Sequence, residues 1–150
     1  MATQKVLIVN GSPRRKGNSA VLAEQVAEGA RSLGAEVETV ILQDLDIKPC
    51  DGCGVCRTPG KGCHIDDDMQ ALYPKVREAD ALVLAGPVYF FTVTAQTKLF
   101  MDRCYAIVKT GDNALADKRV GIVLTYGGAD AFGSGAVNAL RTFQDAYGYV

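Results

Sequence analysis

The chain has no apolar run near the eighteen or so residues that a membrane-spanning helix needs. It opens Met1-Ala2-Thr3-Gln4-Lys5 and passes directly into a strand-like segment, without the apolar stretch or cleavage site of a secretory signal. It has no excess of one charge either. Its 16 Lys and Arg against 17 Asp and Glu leave a formal net charge of −1. That argues against nucleic acid and against a bilayer surface as partner. Repeats, low-complexity tracts and linkers are absent, so 150 residues with 48% hydrophobic content read as one domain with its own core. Neither G-x-G-x-x-G nor G-x-x-x-x-G-K-[ST] occurs, so neither a dinucleotide fold of the usual kind nor an NTPase is indicated. The one histidine, His64, adjoins a cysteine and reads as a surface residue. No residue is needed as a general acid or nucleophile, so the catalytic set is empty.

Cysteine is what the chain concentrates. Cys50, Cys53, Cys56 and Cys63 follow the pattern C-x2-C-x2-C-x6-C within fourteen residues. Gly52, Gly54, Pro59, Gly60 and Gly62 let that segment wrap. Thiolates at these spacings suit an iron–sulfur cubane, in which each iron takes one protein thiolate. A structural zinc site, a disulfide pair and metal-free thiols are the other readings. No proline follows the last cysteine, unlike the common bacterial ferredoxin run, which favours one local quartet and one cluster. A reducing cytoplasm would keep the thiols free as ligands. Cys104, beside Arg103, reads as a small buried hydrophobe, and Asp102-Arg103 as a surface pair or cap.

Around the cysteines, strand and helix patterns alternate. Strands are expected over 5–9, 36–42, 81–85 and 120–124. Helices are expected over 18–33, with a stripe of Val21, Leu22, Val26, Ala30 and Leu33, and over 94–108. Two more carry Met69, Leu72, Tyr73 and Val76, capped by Asp66 or Asp67, and Val137, Leu140, Phe143 and Tyr147. Alternation of this kind predicts an α/β doubly wound parallel sheet, order 2-1-3-4, in the flavodoxin manner. Tyr149-Val150 reads as the start of a fifth strand cut short, and residues 48–65 as a cysteine-rich insertion.

Three loops fall at the carboxyl edge of such a sheet, where open α/β sheets bind ligands. The first is N-G-S-P-R-R-K-G-N-S, residues 10–19. Its small residues and the helix start behind it suit a terminal phosphate, with Ser12, Arg14, Asn18 and Ser19 as donors. The second, Gly86 to Phe91, brings Pro87, Val88, Tyr89 and Phe90. The third is Tyr126, Gly127 and Gly128. Aromatic faces and glycine backbone suit a flat ring.

The motifs GSPRRKGNS, CDGCGVCRTPGKGCHIDDDM, AGPVYFFTVTAQTKLFMDR and TYGG, in that order, resemble the iron–sulfur flavoprotein family within the NADPH-dependent FMN reductase group. The resemblance implies FMN, with its phosphate on Ser12, Arg14, Asn18 and Ser19. It places Pro87, Val88, Tyr89 and Phe90 along the flavin, with Tyr126, Gly127 and Gly128 at its other edge. It also implies a [4Fe–4S] cluster on the four clustered cysteines, and a homodimer or homotetramer in which each cluster lies near a neighbour's FMN. Expected partners are NAD(P)H, ferredoxin, a quinone or oxygen species. An FMN or quinone reductase without a cluster, and a non-enzymatic flavin- or metal-binding module, are the alternatives.

Overall fold

A computed structural model describes residues 2–108 and 113–150. Strand β1, Lys5–Asn10, leads into helix α1, Asn18–Ser32, and then β2, Glu36–Ile41. After the cysteine segment come α2, Met69–Glu78, and β3, Ala81–Pro87. Helix α3, Ala95–Val108, β4, Arg119–Thr125, and α4, Ala136–Tyr149, follow. All strand pairs are parallel, in the order β2-β1-β3-β4. The expected architecture is therefore observed, with element ends shifted by a residue or two. One boundary differs in kind. Tyr149 is the last residue of α4 rather than the opening of a strand, and the sheet has four strands among the described residues.

Alternation along the central strands separates two layers of core. Leu7, Val9, Leu82 and Leu84 face a layer built with Met69, Leu72 and Val76 of α2, Phe100 and Ile107 of α3, and Phe143 of α4. Ile8, Val83 and Ala85 face the opposite way, onto Ala23 and Ala27 of α1. The buried face of α1 is thus Ser19, Ala23 and Ala27, an i, i+4, i+8 line of small side chains. The apolar stripe expected to bury points outward instead: Val21, Leu22 and Val26 are exposed, and Leu33 is 90% exposed. The helix meets the sheet through its smallest residues, so its larger ones are left on the far side. It ends as expected. Gly34, at φ 85°, donates to Arg31 O and Ala35 to Ala30 O, the paired bonds that close a helix on a left-handed glycine.

One close approach joins the strand edge to α3. Gly11 N–H donates to Ala85 O at 2.8 Å, and its carbonyl accepts from Thr94 Oγ1 at 2.8 Å. Thr94 also caps α3, its Oγ1 accepting the Thr97 N–H at 3.2 Å. A Cβ on Gly11 would stand 1.9 Å from Thr97 Oγ1. Gly11→Ala should therefore lower stability by about 1–3 kcal/mol, the usual cost of overpacking. The companion change Thr97→Ala should recover part of that loss in a double-mutant cycle of thermal unfolding. Additive losses would show that the two sites do not collide.

Candidate functional site

The loop that leaves β1 is shaped by its own polar side chains. Buried Asn10 accepts the Ser12 N–H on Oδ1 at 2.9 Å, and Ser12 Oγ accepts the Arg14 N–H at 3.2 Å. Gly17 N–H then returns to Arg14 O, and α1 begins. The first turn of α1 leaves the N–H groups of Asn18 and Ser19 without a backbone acceptor among the described residues. Here lies a pocket of about 480 Å³, lined by Ser12, Arg14, Lys16, Gly17, Asn18, Ser19, Pro87, Tyr89 and Thr125. No carboxylate lines it. Arg15 is drawn away to Asp44, at 2.5 Å, whereas neither Arg14 nor Lys16 has a carboxylate partner among the described residues. Two free cations and an open helix start make a cradle for a dianion such as a phosphate ester.

Of the residues expected at this site, Ser12, Arg14, Asn18, Ser19, Pro87 and Tyr89 share the pocket. The Ser19 hydroxyl is engaged with Thr125 Oγ1 at 2.7 Å, a bond that ties α1 to the end of β4. Val88 does not reach the pocket: its N–H donates to Thr125 O at 2.7 Å and its side chain packs on the core. Tyr126, Gly127 and Gly128 lie exposed on the loop beyond β4, outside the pocket lining. Lys16, Gly17 and Thr125 were not singled out from the sequence. All three lie inside motifs that had been noted, so adjacency was the available signal.

Phe90 also stands off the pocket, 95% exposed. Tyr89 and Thr92 exchange backbone hydrogen bonds at 3.0 and 3.2 Å, closing a two-residue turn. Phe90 and Phe91 occupy it at φ 43° and 68°. Asn and Gly favour such positions, and bulky aromatics there are strained. The turn is held from outside. Asn138 Nδ2 donates to Phe91 O at 3.2 Å, and Gly135 leaves room where a Cβ would stand 2.4 Å from Phe91 Cα.

The second site is the cysteine segment. Cys50, Cys53, Cys56 and Cys63 line one small pocket together with Asp51, His64, Asp102, Arg103 and Tyr105. All four are free thiols. Gly52 and Gly54, at φ 72° and 73°, turn the chain between them. Burial raises the Cys56 thiol above its ordinary range, and the neighbouring Cys63 and Cys50 add to the effect. Asp51 bridges the loop by accepting the Cys53 N–H at 3.1 Å and contacting His64 Nε2 at 2.7 Å. Those hydrogen bonds, the Cys53 N–H first, pull its carboxyl down to about 2. Asp51, Cys53 and His64 place one ligand atom each within 4.8 Å of one another, at the exposed rim.

The neck of this loop departs most from expectation. Arg103 is not a surface residue: it is 1% exposed and lies under the cysteine pocket. Its guanidinium is paired with Asp67, whose side chain is fully buried. Arg103 Nη1 also donates to Lys48 O at 2.8 Å, and Nη2 to Asp67 Oδ1 at 3.1 Å and Ile65 O at 3.5 Å. Asp67 accepts the Lys48 N–H at 2.9 Å and caps α2 through the Met69 N–H at 3.0 Å. Burial pushes the Asp67 carboxyl up, but the bonds from Arg103, Lys48 and Met69 outweigh it and hold it low. Asp102, expected to pair with Arg103, pairs with Lys98 at 2.6 Å. Cys104 is buried as expected.

A family description, NADPH-dependent FMN reductase, matches residues 4–148. An iron–sulfur flavoprotein of Methanocaldococcus jannaschii is 41% identical over 66% of this chain and 51% of its own. An iron–sulfur flavoprotein of Archaeoglobus fulgidus is 35% identical over 95% of this chain and 72% of its own. The chain thus spans between about half and three quarters of these curated relatives. Among solved structures, RosB with bound 8-demethyl-8-formylriboflavin-5'-phosphate superposes with a TM-score of 0.76 at 24% identity, covering 98% of this chain and 60% of that one. That likeness concerns the fold. No helix of the described residues is long and apolar enough to cross a membrane.

The strained turn yields a test independent of any ligand. Phe90→Gly should raise thermal stability, by about 1 kcal/mol, because the side chain is exposed and the left-handed φ then costs nothing. A lower melting temperature would mean that Phe90 makes stabilising contacts.

Proposed function

The chain belongs to the NADPH-dependent FMN reductase family, a family of FMN-dependent oxidoreductases, and within it to the iron–sulfur flavoproteins; on that premise we propose an electron-transfer flavoprotein that carries FMN and a [4Fe–4S] cluster. The observation that carries the reading is the convergence of all four clustered thiols on one pocket. Bound FMN supplies hydride and single-electron chemistry, and a cubane moves one electron at a time, so the pair converts between the two.

The residues present fit both groups. Arg14 and Lys16 neutralise the phosphate, and the first turn of α1 with Ser12 donates hydrogen bonds to it. Pro87 and Tyr89 wall the same pocket and would flank a bound flavin ring. The Tyr126-Gly127-Gly128 backbone flanks the end of β4 for contacts to the ring's polar edge. At the other site Cys50, Cys53, Cys56 and Cys63 supply four thiolates. Arg103 lines that pocket and carries a buried Nε–H without a partner among the described residues, a donor that a cluster sulfide within reach would satisfy.

The two pockets share no residue. Thr94 caps α3 near the phosphate loop, and Tyr105 and Ala106 of α3 line the cysteine pocket, about 16–18 Å further along at 1.5 Å per residue. A second copy of the chain, bringing its cysteine face to this flavin, would shorten the transfer. Exposed Tyr89, Phe90, Phe91, Tyr126 and Phe132 offer apolar surface for that contact. NAD(P)H or ferredoxin is the donor in this reading, a quinone or oxygen species the acceptor, and the cytoplasm the compartment that keeps the thiols reduced.

Arg14→Ala should weaken FMN binding by about 1.5–3 kcal/mol, the worth of a charged hydrogen bond, measured by fluorescence titration. Unchanged affinity would overturn the phosphate assignment. Anaerobic reconstitution should give four iron and four sulfide per chain, lost on replacing any of the four clustered cysteines and kept in Cys104→Ala. Wild-type protein that takes up FMN but no iron would leave an FMN reductase without a cluster.

A further inference from the structure

Arg103 combines three properties that a fold-stabilising arginine alone does not require. It is buried, it touches both ends of one functional loop, and one of its N–H groups has no partner. Lys48 lies two residues before Cys50, and Ile65 two residues after Cys63. The carbonyls of both accept from the same guanidinium, so one planar group spans the loop from entry to exit. Asp67 completes the neck by taking the fork of Arg103 and the Lys48 N–H together. Outer bonds reinforce it: Asp46 N–H donates to Asp68 Oδ2 at 2.7 Å, and Lys48 Nζ to Asp66 O at 3.0 Å. Arg103 also lines the thiol pocket, and α2 anchors its backbone through the Tyr73 hydroxyl, which donates to Arg103 O at 3.2 Å.

We propose that Arg103 is the positioning residue of the cysteine centre: it clamps the two ends of the loop to α3 and holds a positive charge and a free N–H against the thiol pocket, raising the centre's reduction potential. The inference rests on the cluster reading above. The clamp works through geometry, because a planar fork can serve Lys48 O, Ile65 O and the Asp67 carboxylate at once, whereas an ammonium cannot. Tuning works through charge. Reduction adds an electron to the centre, and a buried cation nearby, poorly screened, favours the added negative charge. An N–H donated to a cluster sulfur acts in the same direction.

Two variants separate geometry from charge. Arg103→Lys keeps the charge and loses the fork, and Arg103→Met loses both. Hydrogen exchange of residues 49–66 in the metal-free protein reads the clamp, with amides of β1 and β3 as internal control. Both variants should exchange that segment at least tenfold faster while the sheet stays protected. After anaerobic reconstitution, a redox titration followed by spin resonance reads the charge. Arg103→Met should shift the one-electron equilibrium at least tenfold towards the oxidised centre, a potential lower by about 59 mV or more. The unpaired Asp67 left behind shifts it the same way. Arg103→Lys should stay within tenfold of wild type. Unchanged loop exchange in Arg103→Lys overturns the clamp, and it decides that part if Arg103→Met does not fold. Equal potentials in wild type and Arg103→Met, or equal shifts in both variants, overturn the tuning. Wild-type protein that takes up no iron or sulfide overturns the cluster reading and the tuning with it, while the exchange result still decides the clamp.

Discussion

The buried pair of Arg103 and Asp67 is the contact that gathers both ends of the cysteine segment onto the fold. From Pro49 to His64 the chain has no strand and no α-helix, only a short 3-10 turn over Val55–Arg57. Such a stretch has little core of its own and would sample many conformations. What limits it is a short neck: residues 46–48 against 65–68, both gathered on one guanidinium carried by α3. Two charges with almost no access to water are expensive to bury, and their bonds to each other and to Lys48 and Met69 offset that cost. Removing either partner leaves the other charged and dry, so both must be kept.

The pocket at the start of α1 follows a different physical rule. It is held by neutral, short-range bonds among small side chains. Asn10, Thr94 and Ser19 spend their side-chain hydrogen bonds on backbone or on another hydroxyl, Ser12 Oγ accepts from the Arg14 N–H, and the cations Arg14 and Lys16 remain exposed. The scaffold is therefore rigid before a ligand arrives, and the charges meant for the ligand are not consumed by the protein. The turn at Phe90 and Phe91 adds stored strain at the rim of the same pocket, balanced by Gly135 just before α4 and Asn138 within it.

Layering explains where sequence reading failed. Along α1 the apolar period was read correctly as a helix, but its larger side chains do not face the sheet. Ala23 and Ala27 do, packing on Ile8, Val83 and Ala85. Periodicity reports that a helix exists. It does not report which of two faces meets the sheet when one is small and the other large. Val88 likewise lies in a recognisable motif, and only the assembled core shows that its side chain packs there.

Sequence alone determined what depends on near neighbours: alternating strands and helices from local periodicity, the parallel sheet that such alternation implies, and the clustering of the four cysteines within fourteen residues. These follow from chain geometry within one or two elements. Tertiary structure decided what depends on residues far apart in the chain meeting in one place. Asp67 and Arg103 are separated by 36 positions, Ser19 and Thr125 by 106. Whether an arginine is a solvated surface charge or the buried clamp of a loop turns on what lies opposite it. Nothing in the residues beside Arg103 records that, because burial is a property of the assembled layers.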